Sequence, residues 1–145
     1  MRRVAIIVSL LLIGCAGAAP AASSTQSEYV DAQAFTQKEF AIYNHLYFND
    51  KLPANTHIVV VDDCTTDEYA EAETLTPAFT GKPYYIIEIS APRNPEGNEA
   101  LMTLLHEMVH VYLFSTIPDY HGDHGLLFQH KMLDLAEQHA FDDLW

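Results

Sequence analysis

His106-Glu107-Met108-Val109-His110 forms an HExxH motif inside the apolar run Leu101 to Thr116, LMTLLHEMVHVYLFST. On an α-helix at about 100° per residue, positions i and i+4 lie within about 40° of each other, so both imidazoles project from one face and can bind one metal ion. Glu107 points to the side, within reach of a metal-bound water. The motif thus offers two nitrogen ligands and a general base. A catalytic zinc ion takes three protein ligands and leaves its fourth position to water, so a third ligand has to come from elsewhere.

With eight histidines and ten glutamates in the chain, chance alone produces HExxH with a probability on the order of a few per cent. The surroundings strengthen it. Leu101, Leu104, Leu105, Met108, Val109, Tyr112 and Leu113 make the helix apolar nearly all round, which predicts a helix buried through the middle of a domain. One glutamate and two histidines in such a helix are costly unless paired or bound.

A third ligand must fold back over this helix. The loop Asp119 to Gly125, DYHGDHG, offers His121 and His124, each followed by a glycine that permits a close turn. Glu137, on a later helical stretch, is the carboxylate alternative. The elongated form HExxHxxGxxH is excluded, because Leu113 and Thr116 stand where its glycine and third histidine would be. On the residues alone these three candidates stay open.

The 145 residues suffice for one domain, and 49% hydrophobic with 19% charged residues is a globular balance. The formal net charge is −13, and two of the seven basic residues are Arg2 and Arg3. The remainder cannot build the Lys/Arg surface that phosphate neutralisation requires, so no nucleic-acid partner is expected. Arg2 and Arg3 followed by the apolar run Val4 to Ile13 read as an export signal, too short to span a bilayer. Its end, Leu12-Ile13-Gly14-Cys15, resembles a bacterial lipobox, which implies lipidation at Cys15; ordinary cleavage near Ala19-Pro20-Ala21 is the alternative. The expected organisation is a signal peptide over 1–14, a lipidated cysteine and flexible tether over 15–27, and a domain over 28–145. Such a chain would be membrane-anchored in the bacterial cell envelope, on the outer membrane facing the periplasm. Cys64, the other cysteine, reads as a small buried hydrophobe.

Through the domain, Glu28 to Phe48 predicts a helix whose apolar face draws on Ala34, Phe35, Ile42, Tyr43, Leu46 and Tyr47. Ile58 to Val61 predicts a strand, and Thr65 to Thr80, polar and acidic, predicts no clear element. Its charge reads as a solvated face or a preference for basic substrates. Tyr84 to Ser90, YYIIEIS, is the strongest strand and is a candidate edge for an added peptide strand. The metal helix should end before Pro118, and Leu126 to Phe141 returns to helical periodicity.

HEMVHVYLF, followed after a short loop by HGLLFQHKM, resembles the metalloprotease core of the SprT-like family, and YNHLYFNDKLP resembles that family's opening helix with its Asn, Phe and Leu-Pro signature. These segments span most of Phe40 to Leu133. The resemblance implies a small α+β, zincin-like metalloprotease domain with a central HExxH helix, a short sheet and flanking helices. It also implies one Zn²⁺ and peptide-bond hydrolysis. In the family the third ligand is the histidine of a His-Gly pair with an aromatic residue three positions after the glycine. That pattern falls on His124, Gly125 and Phe128; His121 has Gly122 but lacks the aromatic. The zinc ribbon or DNA-binding region of many members has no counterpart here, so the family's DNA-linked role is not expected.

The mechanism this implies uses neutral His106, His110 and His124 as zinc ligands and Glu107 as the base that takes a proton from water and returns it to the leaving amine. Tyr120 and His121, near the third ligand in sequence, are candidate oxyanion stabilisers. The expected partner is a protein or peptide substrate. A non-catalytic zinc-containing binding lipoprotein is the alternative, disfavoured by the intact Glu107. A metal-sequestering role is disfavoured by the scatter of the histidines.

Overall fold

The computed structural model of the chain describes residues 24–62, 68–77, 80–95 and 97–144. The expectations for the leader, for Cys15 and for Cys64 lie outside the described residues. Within them the order is α1 (Ser24–Phe48), β1 (Thr56–Val61), β2 (Ala70–Leu75), β3 (Tyr84–Ser90), a 3₁₀ turn (Ala91–Arg93), α2 (Gly97–Thr116) and α3 (Leu126–Glu137). This is an α+β arrangement. No described helix is long and apolar enough to cross a membrane.

The sheet order is β1-β3-β2, with β1 parallel and β2 antiparallel to β3. The strong strand YYIIEIS is therefore central and cannot accept an added peptide; the edge beside it is β2, in the segment where the sequence predicts no element. A central strand needs both neighbours and a core face. β3 supplies these by alternation, with Tyr85, Ile87 and Ile89 buried on one side. In register with them stand Ile58 of β1 and Ala70 and Ala72 of β2.

Against that face lies α2, with Leu104, Leu105, Met108, Val109 and Val111 fully buried, the all-round burial its composition predicts. α1 packs on β1 and α2 through Thr36, Phe40, Tyr43 and Phe48. Four residues expected on its apolar face, Ala34, Phe35, Ile42 and Leu46, are exposed instead. The helix carries two apolar stripes, and periodicity alone does not say which one meets the core. α3 is also shorter than its apolar pattern, ending at Glu137; His139 follows with a left-handed φ of 64°, and Phe141 lies in the turn beyond.

The stretch YNHLYFNDKLP closes α1 in a way that explains its composition. Asn49 and Asp50 adopt left-handed φ values of 54° and 58°, which these side chains tolerate better than most. The Asp50 amide reaches back six positions to the Asn44 carbonyl at 3.0 Å, closing the end of the helix. The Asn44 side-chain oxygen then accepts the Leu52 amide at 3.1 Å, pinning buried Leu52 under the helix. Asn44→Ala should cost about 1–3 kcal/mol, because it strands that amide. His45→Ala, which removes only the exposed pair with Asp50, should leave stability nearly unchanged. Urea unfolding midpoints check this, and equal midpoints for the two variants would contradict it.

Candidate metal centre

His106, Glu107 and His110 sit on consecutive turns of α2, where it passes between the sheet and α3. After Thr116 the chain reverses over the helix. Asp119 takes a φ of 61° and Gly122 a φ of 80°. A Cβ at Gly122 would lie 3.4 Å from the Phe114 ring, so glycine there serves both the turn and the close approach. Asp123 Oδ1 accepts the Gly125 amide at 2.9 Å, and Gln129 Nε2 donates to the His124 carbonyl at 3.0 Å. These bonds fix His124 above the helix.

The result is a convergence of ring nitrogens. His124 Nε2 lies 2.9 Å from His106 Nε2 and 3.2 Å from His110 Nε2. Among the described residues, these three histidines offer ligand atoms all within 4.8 Å of one another. Imidazole nitrogens bound at about 2.0–2.1 Å in a tetrahedral array stand about 3.3–3.4 Å apart, so the observed spacings fit a shared ion with little adjustment. The cluster can hold a metal ion. His121 is exposed and lines the cleft without joining the cluster, and Glu137 is exposed at the end of α3, outside it.

Phe128 is the platform of this cluster. It is buried, and its ring centroid lies 4.7 Å from that of His106, 4.5 Å from His110 and 4.6 Å from His124. The aromatic three positions after Gly125 thus has a physical purpose: one side chain from α3 supports all three imidazoles.

Tyr120 orients a ligand. Its hydroxyl, 2.9 Å from His110 Nδ1, donates to the Asp123 carbonyl at 2.6 Å. With its proton so placed, it accepts from His110 Nδ1–H, which leaves the His110 Nε2 lone pair facing the cluster. Burial, and then the charges of Asp123 and Glu107, push the phenol up to about 12, so it stays protonated. Sequence reasoning placed Tyr120 near the metal but had no signal for this direction.

Burial sets the charge states of the rest. It lowers the His106 pKa, with His124 adding to the effect, and brings His110 down to about 4, with His106 and His124 adding. Both rings are thereby kept in the neutral form that ligates metals. Burial raises Glu107 to about 7; a hydrogen bond from the Ala72 amide opposes the shift, and Glu71 and Glu68 reinforce it. That amide belongs to β2. Because Tyr69 and Ser90 pair through a backbone bond of 3.0 Å, the backbone groups of Ala70, Ala72 and Thr74 point away from β3 toward the cleft. The cleft, about 550 Å³, runs between β2 and the three histidines. Glu68, Glu71 and Glu73 line it. The alternation Ala-Glu-Ala-Glu over residues 70–73 was the available signal for this strand, hidden by residues of low strand propensity.

No protein-family model, no curated protein and no solved structure matches the chain.

Titrated with Zn²⁺, the wild type should take up one equivalent. Tyr120→Phe should weaken binding about 10- to 100-fold, as expected for loss of a ligand's outer partner, while His121→Ala leaves affinity unchanged. The reverse order would contradict the placement of the third ligand.

A pH prediction follows from Glu107. Unfolded, its carboxyl ionises at the ordinary value of 4.5, whereas the folded, metal-free protein holds the proton up to about pH 7. Its stabilising contribution is therefore complete below pH 4.5 and is lost as pH rises through 7. Glu107→Gln removes this titration. In metal-free protein the melting-temperature difference should shift in favour of the variant up to about pH 7, then stay constant; a difference independent of pH would contradict the burial argument.

Proposed function

We propose that the chain is a zinc metallopeptidase with a zincin-like, SprT-like core, hydrolysing peptide bonds of protein substrates in the bacterial cell envelope. The observation that carries this reading is the convergence of three imidazole nitrogens beside a buried carboxylate that is not itself in the cluster. A purely structural site closes its fourth position and has no use for a base. Three nitrogen donors with an open side suit Zn²⁺ among the common biological ions.

His106, His110 and His124 would hold the ion, with Tyr120 and Phe128 fixing two of the degrees of freedom that a loop-borne site otherwise leaves loose. Bound there, Zn²⁺ supplies Lewis acidity, polarising a carbonyl oxygen and lowering the pKa of a water toward about 7. Glu107 would take the proton of the attacking water and return it to the leaving amine. The Ala72 amide holds that carboxylate in place. The outward backbone groups of β2 give an extended peptide a strand to pair with alongside the cleft, the role the sequence assigned to β3. Glu68, Glu71 and Glu73 along the same edge favour substrates rich in Lys and Arg.

Export and a lipid anchor at Cys15 belong to the same reading and rest on the leader, Arg2-Arg3, the apolar run Val4 to Ile13, and Leu12-Ile13-Gly14-Cys15. They would place the peptidase at the membrane surface, with substrates among envelope proteins.

The test compares zinc-loaded wild type with Glu107→Gln on unfolded, cationic protein substrates. Both should bind one zinc, and the variant should lose at least about 10²-fold in kcat/KM, the scale of general-base catalysis. Cleavage that survives the substitution would sink the mechanism. One zinc in each protein with no cleavage by either would favour a binding protein instead.

A further inference from the structure

α3 carries two groups that hold the third ligand in place: Phe128 under the three rings, and Gln129, whose side-chain amide donates to the His124 carbonyl. The helix itself is held lightly, since only Phe128 and Leu135 of its 12 residues are buried. Those two side chains stand two turns apart on the core-facing side, and apolar contacts of this kind are non-directional. They fix depth more firmly than rotation or register. A small turn of the helix would carry Phe128 and Gln129 off the imidazoles they support.

Lys131 lies between the two buried residues, one turn after Phe128. Only 15% of its side-chain surface is exposed, and lysine is seldom buried unless paired. Its ammonium lies 5.1 Å from the centroid of the Phe48 ring and 5.2 Å from that of Tyr112. These rings stand 6.0 Å apart, inclined at 49°. One belongs to the last residue of α1 and the other to α2, two positions after the ligand His110.

A charge is costly here. Burial lowers the Lys131 pKa, Asp134 at 3.9 Å opposes the shift, and Lys51 adds to it. A methionine would fill the same space without that cost, so packing alone does not account for a lysine. What the cation adds is direction, because its attraction to a ring face acts at a defined place and fades when the ammonium leaves it.

We propose that Lys131 is a positioning residue for the metal centre: its ammonium, held at the Phe48 and Tyr112 rings, sets the register of α3 and so seats Phe128 and Gln129 against the ligands. This rests on the three histidines being a metal site and is independent of what the site then does.

Zinc affinity of the full chain, measured by competition with a chromophoric chelator, tests it. Lys131→Met, which keeps the length and the apolar stem, should weaken binding about 5- to 30-fold, the span of a desolvated cation–π contact. Lys131→Arg, which returns a cation to the rings, should bind within about threefold of the wild type. Because the effect runs through the platform, Lys131→Met should cost only about twofold or less once Phe128 has been replaced by Leu. Should Lys131→Met not fold, Lys131→Gln carries the same comparison.

Unchanged affinity in the neutral variant, or an Arg variant as weak as the neutral one, overturns the role of Lys131 while leaving the metal site intact. So does the full loss reappearing in the Phe128→Leu background, which marks a contact that merely holds the fold together. A wild type that takes up no zinc overturns the metal site, and the role of Lys131 with it.

Discussion

Two imidazole nitrogens of α2, His106 Nε2 and His110 Nε2, held 2.9 and 3.2 Å from His124 Nε2 where burial disfavours protonation of both α2 rings, form the contact around which the structure is arranged. Facing lone pairs repel unless a proton or a metal ion lies between them, so the geometry is costly by itself and has to be imposed by the surroundings. α2 supplies two rings by helical spacing alone. The third needs the reversal at Asp119 and Gly122, the Asp123 turn, and Phe128 beneath all three rings. The hydroxyl of Tyr120 completes the arrangement by fixing which nitrogen of His110 faces inward.

Charge is distributed in keeping with this. His106 and His110 are kept neutral by burial, Glu107 is raised by burial and by Glu71 and Glu68, and Glu71 lies on the strand whose amide holds Glu107. A cation in the cluster would relieve much of the negative field; without one, the buried carboxyl keeps its proton to near neutrality. One strand thus both anchors Glu107 and presents the edge along which, on the proposed reading, a peptide would lie. Asn94 secures that placement, donating to the Tyr69 and Ser90 carbonyls at 2.9 and 2.8 Å and accepting from Thr103 at 2.6 Å. Thr103 lies one turn before Glu107, so β2 and the metal helix are tied together just upstream of the site.

The cluster was legible in the sequence because its signals are local. HExxH fixes two ligands through the helical period; for the third, the residues alone leave His121, His124 and Glu137 open, and the resemblance to the SprT-like pattern of a His-Gly pair followed by an aromatic points to His124. The buried helix was legible for the same reason, its apolar residues covering every face. What the sequence hid was relational. β2 reads as an acidic loop because Ala and Glu are weak strand formers, and its identity depends on pairing with a strand further along the chain, from Leu75 with Tyr84 to Ala70 with Ile89. β3 reads as an edge because a strong strand pattern carries no information about how many neighbours it has. On α1, Phe35, Ile42 and Leu46 compete with Phe40, Tyr43 and Tyr47 for the core, and packing against β1 decides between them. The Tyr120 hydroxyl and the Ala72 amide act through direction, which composition does not encode.

The account stands on the three histidines as the complete set of protein ligands to one ion. Zinc-edge X-ray absorption on the zinc-loaded full chain reads that set directly. It should show three imidazole nitrogens at about 2.0–2.1 Å and one further light-atom ligand from solvent, with no sulfur contribution. A shell of only two imidazoles, or a thiolate at about 2.3 Å drawn from Cys64 or Cys15, would contradict it.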